Sequence, residues 1–253
     1  MPIKFARRLA GRKRSPDANR QLGFMLTFVA GAVNAGGFLA VSQYTSHMTG
    51  IVSGMADNVA LGQYDLVLAG LGALTSFVNG AICCAVMVNF SRRRGMHSQF
   101  ALPLLLEAAL LLCFGFLGPR LADMHGIFIP FTVGLLCFLM GLQNAVITKI
   151  SKAEIRTTHI TGIVTDIGIE LGKLLYWNSP SHAKGHDRVV ANRTRLKLLG
   201  TLAGCFFVGG VVGAVGFSRV GYVTTVPLAL VLVWLAGVPA LDDVSLALRR
   251  ARR

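Results

Sequence analysis

Two histidines sit in nearly identical settings. Thr45-Ser46-His47-Met48-Thr49-Gly50-Ile51-Val52 is matched 112 residues later by Thr157-Thr158-His159-Ile160-Thr161-Gly162-Ile163-Val164, identical at six of eight positions. An imidazole among hydroxyls can hydrogen-bond a solute, or gain and lose a proton near neutral pH. Thr45, His47, Thr49, Thr157, His159 and Thr161 are therefore candidate solute-binding residues. Upstream, Gly31-Ala32-Val33-Asn34-Ala35 is matched by Gly141-Leu142-Gln143-Asn144-Ala145 at an offset of 110. Asn34 and Asn144, with Gln143, would either bind solute or hydrogen-bond between helices. No second His or Cys stands at ligand spacing beside either histidine, so neither a metal nor a cofactor is expected. The five cysteines lie inside apolar runs and read as small buried hydrophobes.

Carboxylates form a second set. Asp166 and Glu170 are four residues apart, on one face of a helix, with Lys173 three further on. Asp57 occupies the corresponding stretch after the first octet, and Glu107 lies alone in an apolar run. Ionisable groups at membrane depth are costly and point to function. Asp57, Asp166, Glu170 and Glu107 are thus candidate coupling or gating groups, against the plainer reading of Glu170 as an ion-pair partner of Lys173. The chain has no nucleotide loop, no paired metal motif and no Ser or Cys beside a base in a recognisable pattern, so an enzyme is not expected.

These residues must be positioned by membrane helices. Of 253 residues, 53% are hydrophobic and 14% charged, too greasy for a soluble or a disordered chain. Six apolar stretches are long enough to cross a hydrocarbon core: Gln21–Ser42, Asp65–Phe90, Phe100–Leu117, Gly126–Thr148, Leu196–Phe217 and Tyr222–Leu241. The first is too long for a signal peptide core and reads as a retained helix. The net charge of +14 looks at first like a nucleic-acid signal. However, nineteen of the 25 Lys and Arg fall in four segments: the N-terminal twenty residues, Arg92–Arg94, the stretch from Lys184 to Lys197, and the C-terminal tail. With six spans and a cytoplasmic N-terminus all four segments face the cytoplasm. The expectation is a multi-pass protein of the bacterial inner (plasma) membrane, both termini cytoplasmic, its basic loops on anionic head groups, with no nucleic-acid partner.

Three spans per repeat is an odd number, so the halves would face opposite ways, a 3+3 inverted repeat of the kind found in secondary transporters. The fold class expected is all-α integral membrane. It divides into a basic segment (1–20), a first half (21–118) with a short helix at 50–62, a second half (119–241) with a short helix at 162–177 and a basic loop at 178–195, and a basic tail (242–253). The short helices would either re-enter the membrane as half-helices, N-capped by Thr49 and Thr161 and presenting their positive ends, or lie flat at the interface. Gly200, Gly204, Gly209, Gly213 and Gly216 line the fifth span, suiting close packing or a homodimer contact.

The pattern Asn34-Ala-Gly-Gly-Phe, Thr45-Ser-His-Met-Thr-Gly, Gly141-Leu-Gln-Asn144-Ala and Arg156-Thr-Thr-His-Ile-Thr-Gly162 resembles the YoaK-like family of bacterial six-span inner-membrane proteins, whose function is uncharacterised. The resemblance covers nearly the whole chain and implies the six-span architecture, but no activity. Many members of that family carry Asp where Asn34 stands and Asn where Ile51 stands, so no role for that Asp transfers here. The residues favour a permease, transporter or channel-like, for a small unidentified solute. Two rivals remain: a membrane-embedded enzyme acting on lipid, and a non-catalytic scaffold or lipid-binding protein.

Overall fold

A computed structural model of the chain describes residues 16–96, 98–121, 128–151, 158–176 and 189–251. Thr157 and most of the basic loop lie outside the described residues. Among those described, the regular structure is helical: α1 (Pro16–Val41), α2 (Met48–Ala60), α3 (Tyr64–Arg93), α4 (Ala101–Leu121), α5 (Phe128–Ile150), α6 (Ile160–Leu175), α7 (Arg193–Arg219) and, after a 3-10 turn at Gly221–Thr224, α8 (Thr225–Ala251). Helices α1, α3, α4, α5 and α7 are long and apolar enough to cross a membrane, while the apolar part of α8, with the turn before it, is the shorter stretch Gly221–Gly237.

Polar helix ends extend the spans beyond their apolar windows. Helix α1 starts at Pro16 rather than Gln21, with Asp17 in its first turn, and proline is well suited to a first helical position. Asn192 caps α7, its side-chain oxygen accepting from the Arg195 N–H at 3.0 Å. Glycines in left-handed conformation end α2 and α3. Gly62 (φ 70°) closes a turn in which Gln63 N–H reaches Asn58 C=O at 2.8 Å, and Gly95 (φ 65°) does the same for Met96 and Ser91 at 3.0 Å.

The interior is mostly apolar, built from residues such as Leu26, Leu104, Leu136, Met140, Leu202 and Leu232. The outside is apolar too: Phe207 is 71% exposed, Phe116 65%, Leu68 65% and Val86 61%. That much apolar surface around a bundle is unfavourable in water and natural in acyl chains. The chain reads as an all-α, multi-pass integral membrane protein.

Three helix pairs carry most of the packing: α1 with α7, α3 with α5, and α4 with α8. A Cβ on Gly31 would strike the backbone carbonyl of Phe206, and one on Gly209 would strike that of Phe28. At the second crossing Gly141 meets the Phe77 carbonyl and Gly80 the Phe138 carbonyl. Each helix contributes a phenylalanine and, three residues later, a glycine: Phe28 and Gly31, Phe77 and Gly80, Phe138 and Gly141, Phe206 and Gly209. Only a glycine lets the backbones approach this closely. Contacts Phe28/Gly209, Ala32/Gly213 and Gly36/Phe217 rise together, so α1 and α7 run the same way. Ser76/Gly134 and Gly80/Phe138 give the same sense for α3 and α5. In contrast, Gly115 meets Thr225 and Gly118 meets Tyr222, so the end of α4 lies against the start of α8 and the two run oppositely.

Helices α2 and α6 are the short elements. Helix α2 folds back along α3, with Ile51 and Met55 over Gly70, and Met48 packs in a cluster that holds Phe77 and Cys137. Its start therefore lies near the middle of α3 and α5. Helix α6 runs back along α7 in the same manner, with Glu170 bonded at Asn192, Asp166 at Arg195, and its first turn facing a cavity lined by Leu199 and Leu202. At 1.5 Å per residue, both short helices begin roughly 15–20 Å along the partner helix.

Candidate functional site

The two octets are held by the same device. Asn34, near the end of α1 and buried, accepts at Oδ1 from the Ser46 hydroxyl at 2.8 Å and from the Ser46 backbone N–H at 3.4 Å. Asn144, near the end of α5, accepts at Oδ1 from the Thr158 hydroxyl at 2.8 Å, while its amide donates to Met140 C=O at 3.0 Å. Position 46 is Ser and position 158 is Thr, and both keep the hydroxyl this bond requires. The asparagines thus fix the chain where it leaves the long helix and enters the octet. Gln143 bridges helices instead, its amide donating to Leu26 C=O of α1 at 3.2 Å.

The caps differ from the sequence expectation. The N-cap positions are His47 and His159, not Thr49 and Thr161, which fall one residue inside the first turn. Neither imidazole makes a capping hydrogen bond. Each ring instead lies over the glycine three residues on: a Cβ on Gly50 would strike the His47 ring and one on Gly162 the His159 ring. The octet spacing of His to Gly follows from this contact, since any side chain there would displace the imidazole.

Of the predicted solute residues, only His159 and Thr161 line a cavity among the described residues. That cavity, of about 720 Å³, lies between α6 and α7, with Thr165, Asp166 and Arg195 also in its wall. A second cavity of about 550 Å³ lies between α2, α3 and α5, lined by Gly50, Asn58, Gly70, Ser76 and Gly134 among others. His47 and Thr49 are exposed beside α2, as Thr161 and His159 are beside α6. Thr45 is wholly buried, and its hydroxyl has no hydrogen-bond partner among the described residues.

The predicted carboxylates divide sharply by surroundings. Asp57 is exposed on α2. Asp166 pairs with Arg195 at 2.9 Å, across the mouth of the larger cavity. Glu170 is buried and fully engaged: Lys173 Nζ donates at 2.9 Å and the Asn192 N–H at 2.7 Å. Those donors, Lys173 first, hold its carboxyl below the usual carboxylate range. Glu107, 1% exposed in α4, has no partner for either carboxyl oxygen among the described residues. Arg195 was not foreseen as a site residue, because 29 residues separate it from Asp166 and no local spacing joins them.

Both octets and the helices that hold them fall within one family match. The model of a family of proteins of unknown function, DUF1275, matches residues 22–238. The chain belongs to the DUF1275 family. The DUF1275 match runs from the first turns of α1 into α8, so it takes in both asparagines, both histidines and all four carboxylates. Comparisons with curated proteins and with solved structures give no match.

Proposed function

We propose that this protein is a permease, a transporter or channel-like protein for a small solute, in the bacterial inner membrane, with both termini cytoplasmic. It is built from six spans in a 3+3 inverted repeat. The helix directions support this reading. Six spans put the first and fifth in one sense, the second and fourth in the other, and the third and sixth opposed. Within the pairs, α1 and α7 run alike, α3 and α5 run alike, and α4 and α8 run oppositely, which agrees with six spans. If α2 and α6 also crossed, α4 and α8 would be the fourth and eighth spans and would run the same way.

The observation that carries the proposal is the pair of short helices. Each starts well along its partner helix, with its first turn under a histidine and its entry fixed by an asparagine–hydroxyl bond. Unpaired helix-start N–H groups at that depth, in a core about 30 Å thick, are a polar site of the kind discontinuous helices form in transporters. Non-helical backbone is tolerated there when it lines a cavity, and a cavity adjoins each short helix. The solute would meet Thr45, His47 and Thr49 from one side and Thr157, His159 and Thr161 from the other, with Asn34 and Asn144 holding both stretches. Asp166 and Glu170, with Arg195 and Lys173, would gate the cytoplasmic cavity, while at the other cavity Asn58 lines the wall and Asp57 stands exposed beside it on α2. Within the fifth span, Gly209 and Gly213 pack on α1 and Gly216 on Thr224, which leaves the open face of Gly200 and Gly204 for a homodimer contact.

The test begins with thermal stabilisation of purified protein by anions, amino acids and nucleobases, followed by uptake of the stabilising solute into proteoliposomes. His47→Ala and His159→Ala should each lower flux roughly tenfold, the effect of losing one well-made hydrogen bond to solute. Loss with one variant only would favour a lipid-acting enzyme, and loss with neither a scaffold.

A further inference from the structure

Of the four candidate carboxylates of this permease, three are accounted for by their surroundings: Asp57 is exposed, and Asp166 and Glu170 are in ion pairs. Glu107 is not. It lies in a core of Leu104, Ala108 and Leu111 from its own helix, with both carboxyl oxygens buried and lacking a hydrogen-bond donor among the described residues. A carboxylate without partners in an apolar interior is costly to keep. Something must therefore be carried to the group to set its charge.

A hard cation such as sodium or calcium needs several oxygen ligands. Among the described residues no three His, Cys, Asp or Glu side chains are grouped so as to hold a metal ion. From α3, Cys84 lies within electrostatic range of Glu107, with Cys83 beside it. From α5, Lys149 acts on the same Cys84 thiol. The next charged groups of α3 are Arg92, which donates to Gln99 at 3.1 Å, and Arg93, both in its last turn. The described side chains of α8 include no titratable group. Thiols and a single lysine make a poor cation cage, whereas a lone carboxyl needs no cage to bind a proton. Glu107 is the seventh residue of α4, about 9 Å from its start at 1.5 Å per residue, and Lys149 is in the last turn of α5. In the topology proposed above both helix ends face the cytoplasm.

We propose that Glu107 is the group that takes up and releases the coupling ion of this permease, and that the ion is a proton. The proposal rests on the permease reading, but its test needs no solute. The full-length protein, in vesicles of phosphatidylethanolamine and phosphatidylglycerol, is treated with dicyclohexylcarbodiimide across a pH series. The reagent adds to a protonated carboxyl in apolar surroundings and leaves a stable acylurea, read by mass spectrometry of intact protein and peptides. The expected result is one adduct at Glu107 that disappears in Glu107→Gln. Its yield should fall about tenfold for each pH unit beyond the midpoint, as one titrating proton requires, and be the same in sodium and potassium chloride. Protection by sodium at fixed pH would make the site a cation site. Absence of the adduct from monodisperse wild-type protein, or a yield independent of pH, would make Glu107 a sealed structural acid. Any of these three results overturns the proposal. Labelling as expected without solute flux would defeat the permease reading alone, and flux without labelling would defeat the proton site alone.

Discussion

At the scale of single residues, chemistry follows from which groups already have partners. Glu170 is the clearest case. Lys173 and the Asn192 N–H bind its ionised form, so the folded protein holds that proton less tightly than the unfolded chain does. The pair therefore stabilises the fold fully above the ordinary glutamate range. Its contribution fades as pH falls through the lowered value of the folded state. Thermal unfolding in detergent should show wild type more stable than Glu170→Gln at neutral pH, with the two curves converging on acidification. Parallel curves would mean that the ion pair adds nothing. Residues three apart, such as Glu170 and Lys173, were legible as partners because helical spacing brings them together. The Asp166–Arg195 pair was not, since only the fold-back of α6 along α7 unites them. The caps escaped for a related reason. Threonine is the better capping residue by type, yet the imidazole over a bare glycine takes the position instead.

Among elements, the decisive contacts are the two glycine crossings. In α1/α7 and α3/α5 backbone meets backbone, and a methyl group at Gly31 or Gly80 would have to displace a carbonyl. Gly31→Ala and Gly80→Ala should each cost about 1–3 kcal/mol, the usual penalty for overpacking. Gly168→Ala, in α6 with open space around it, should be neutral or slightly stabilising. Equal effects at all three positions, measured by thermal unfolding in one detergent, would mean the crossings are looser than described. Five of the long helices were legible from hydropathy to within a few residues, the misses at Pro16 and Arg193 being polar turns beyond the apolar windows, whereas α8 runs to Ala251, ten residues past the expected Leu241. The pairing of helices was not legible. A phenylalanine and a glycine three apart do not stand out in apolar runs, and the four occurrences gain meaning only when each glycine is seen against the phenylalanine carbonyl of another helix.

For the whole molecule, the correspondences run through two offsets. Phe28, Gly31 and Asn34 recur at Phe138, Gly141 and Asn144, while Phe77 and Gly80 recur at Phe206 and Gly209. The chemistry placed on the matching frame differs between halves: the cavity beside α6 carries the charged Asp166 and Arg195, and the one beside α2 carries glycines, apolar side chains and the neutral Gln43, Asn58 and Ser76. A duplicated frame with unlike linings is what a protein facing two compartments would need, and positive charge gathered in a few connections would orient such a frame. In the proposed topology the short helices return to opposite faces of the membrane. Single cysteines placed at Gln63, after α2, and at Val190, before α7, are both at exposed positions. In a cysteine-free background they can be labelled with a membrane-impermeant maleimide in right-side-out and inverted vesicles. Gln63→Cys should react from the outer face and Val190→Cys from the cytoplasmic face; labelling of both from one face would show that the two halves are not inverted.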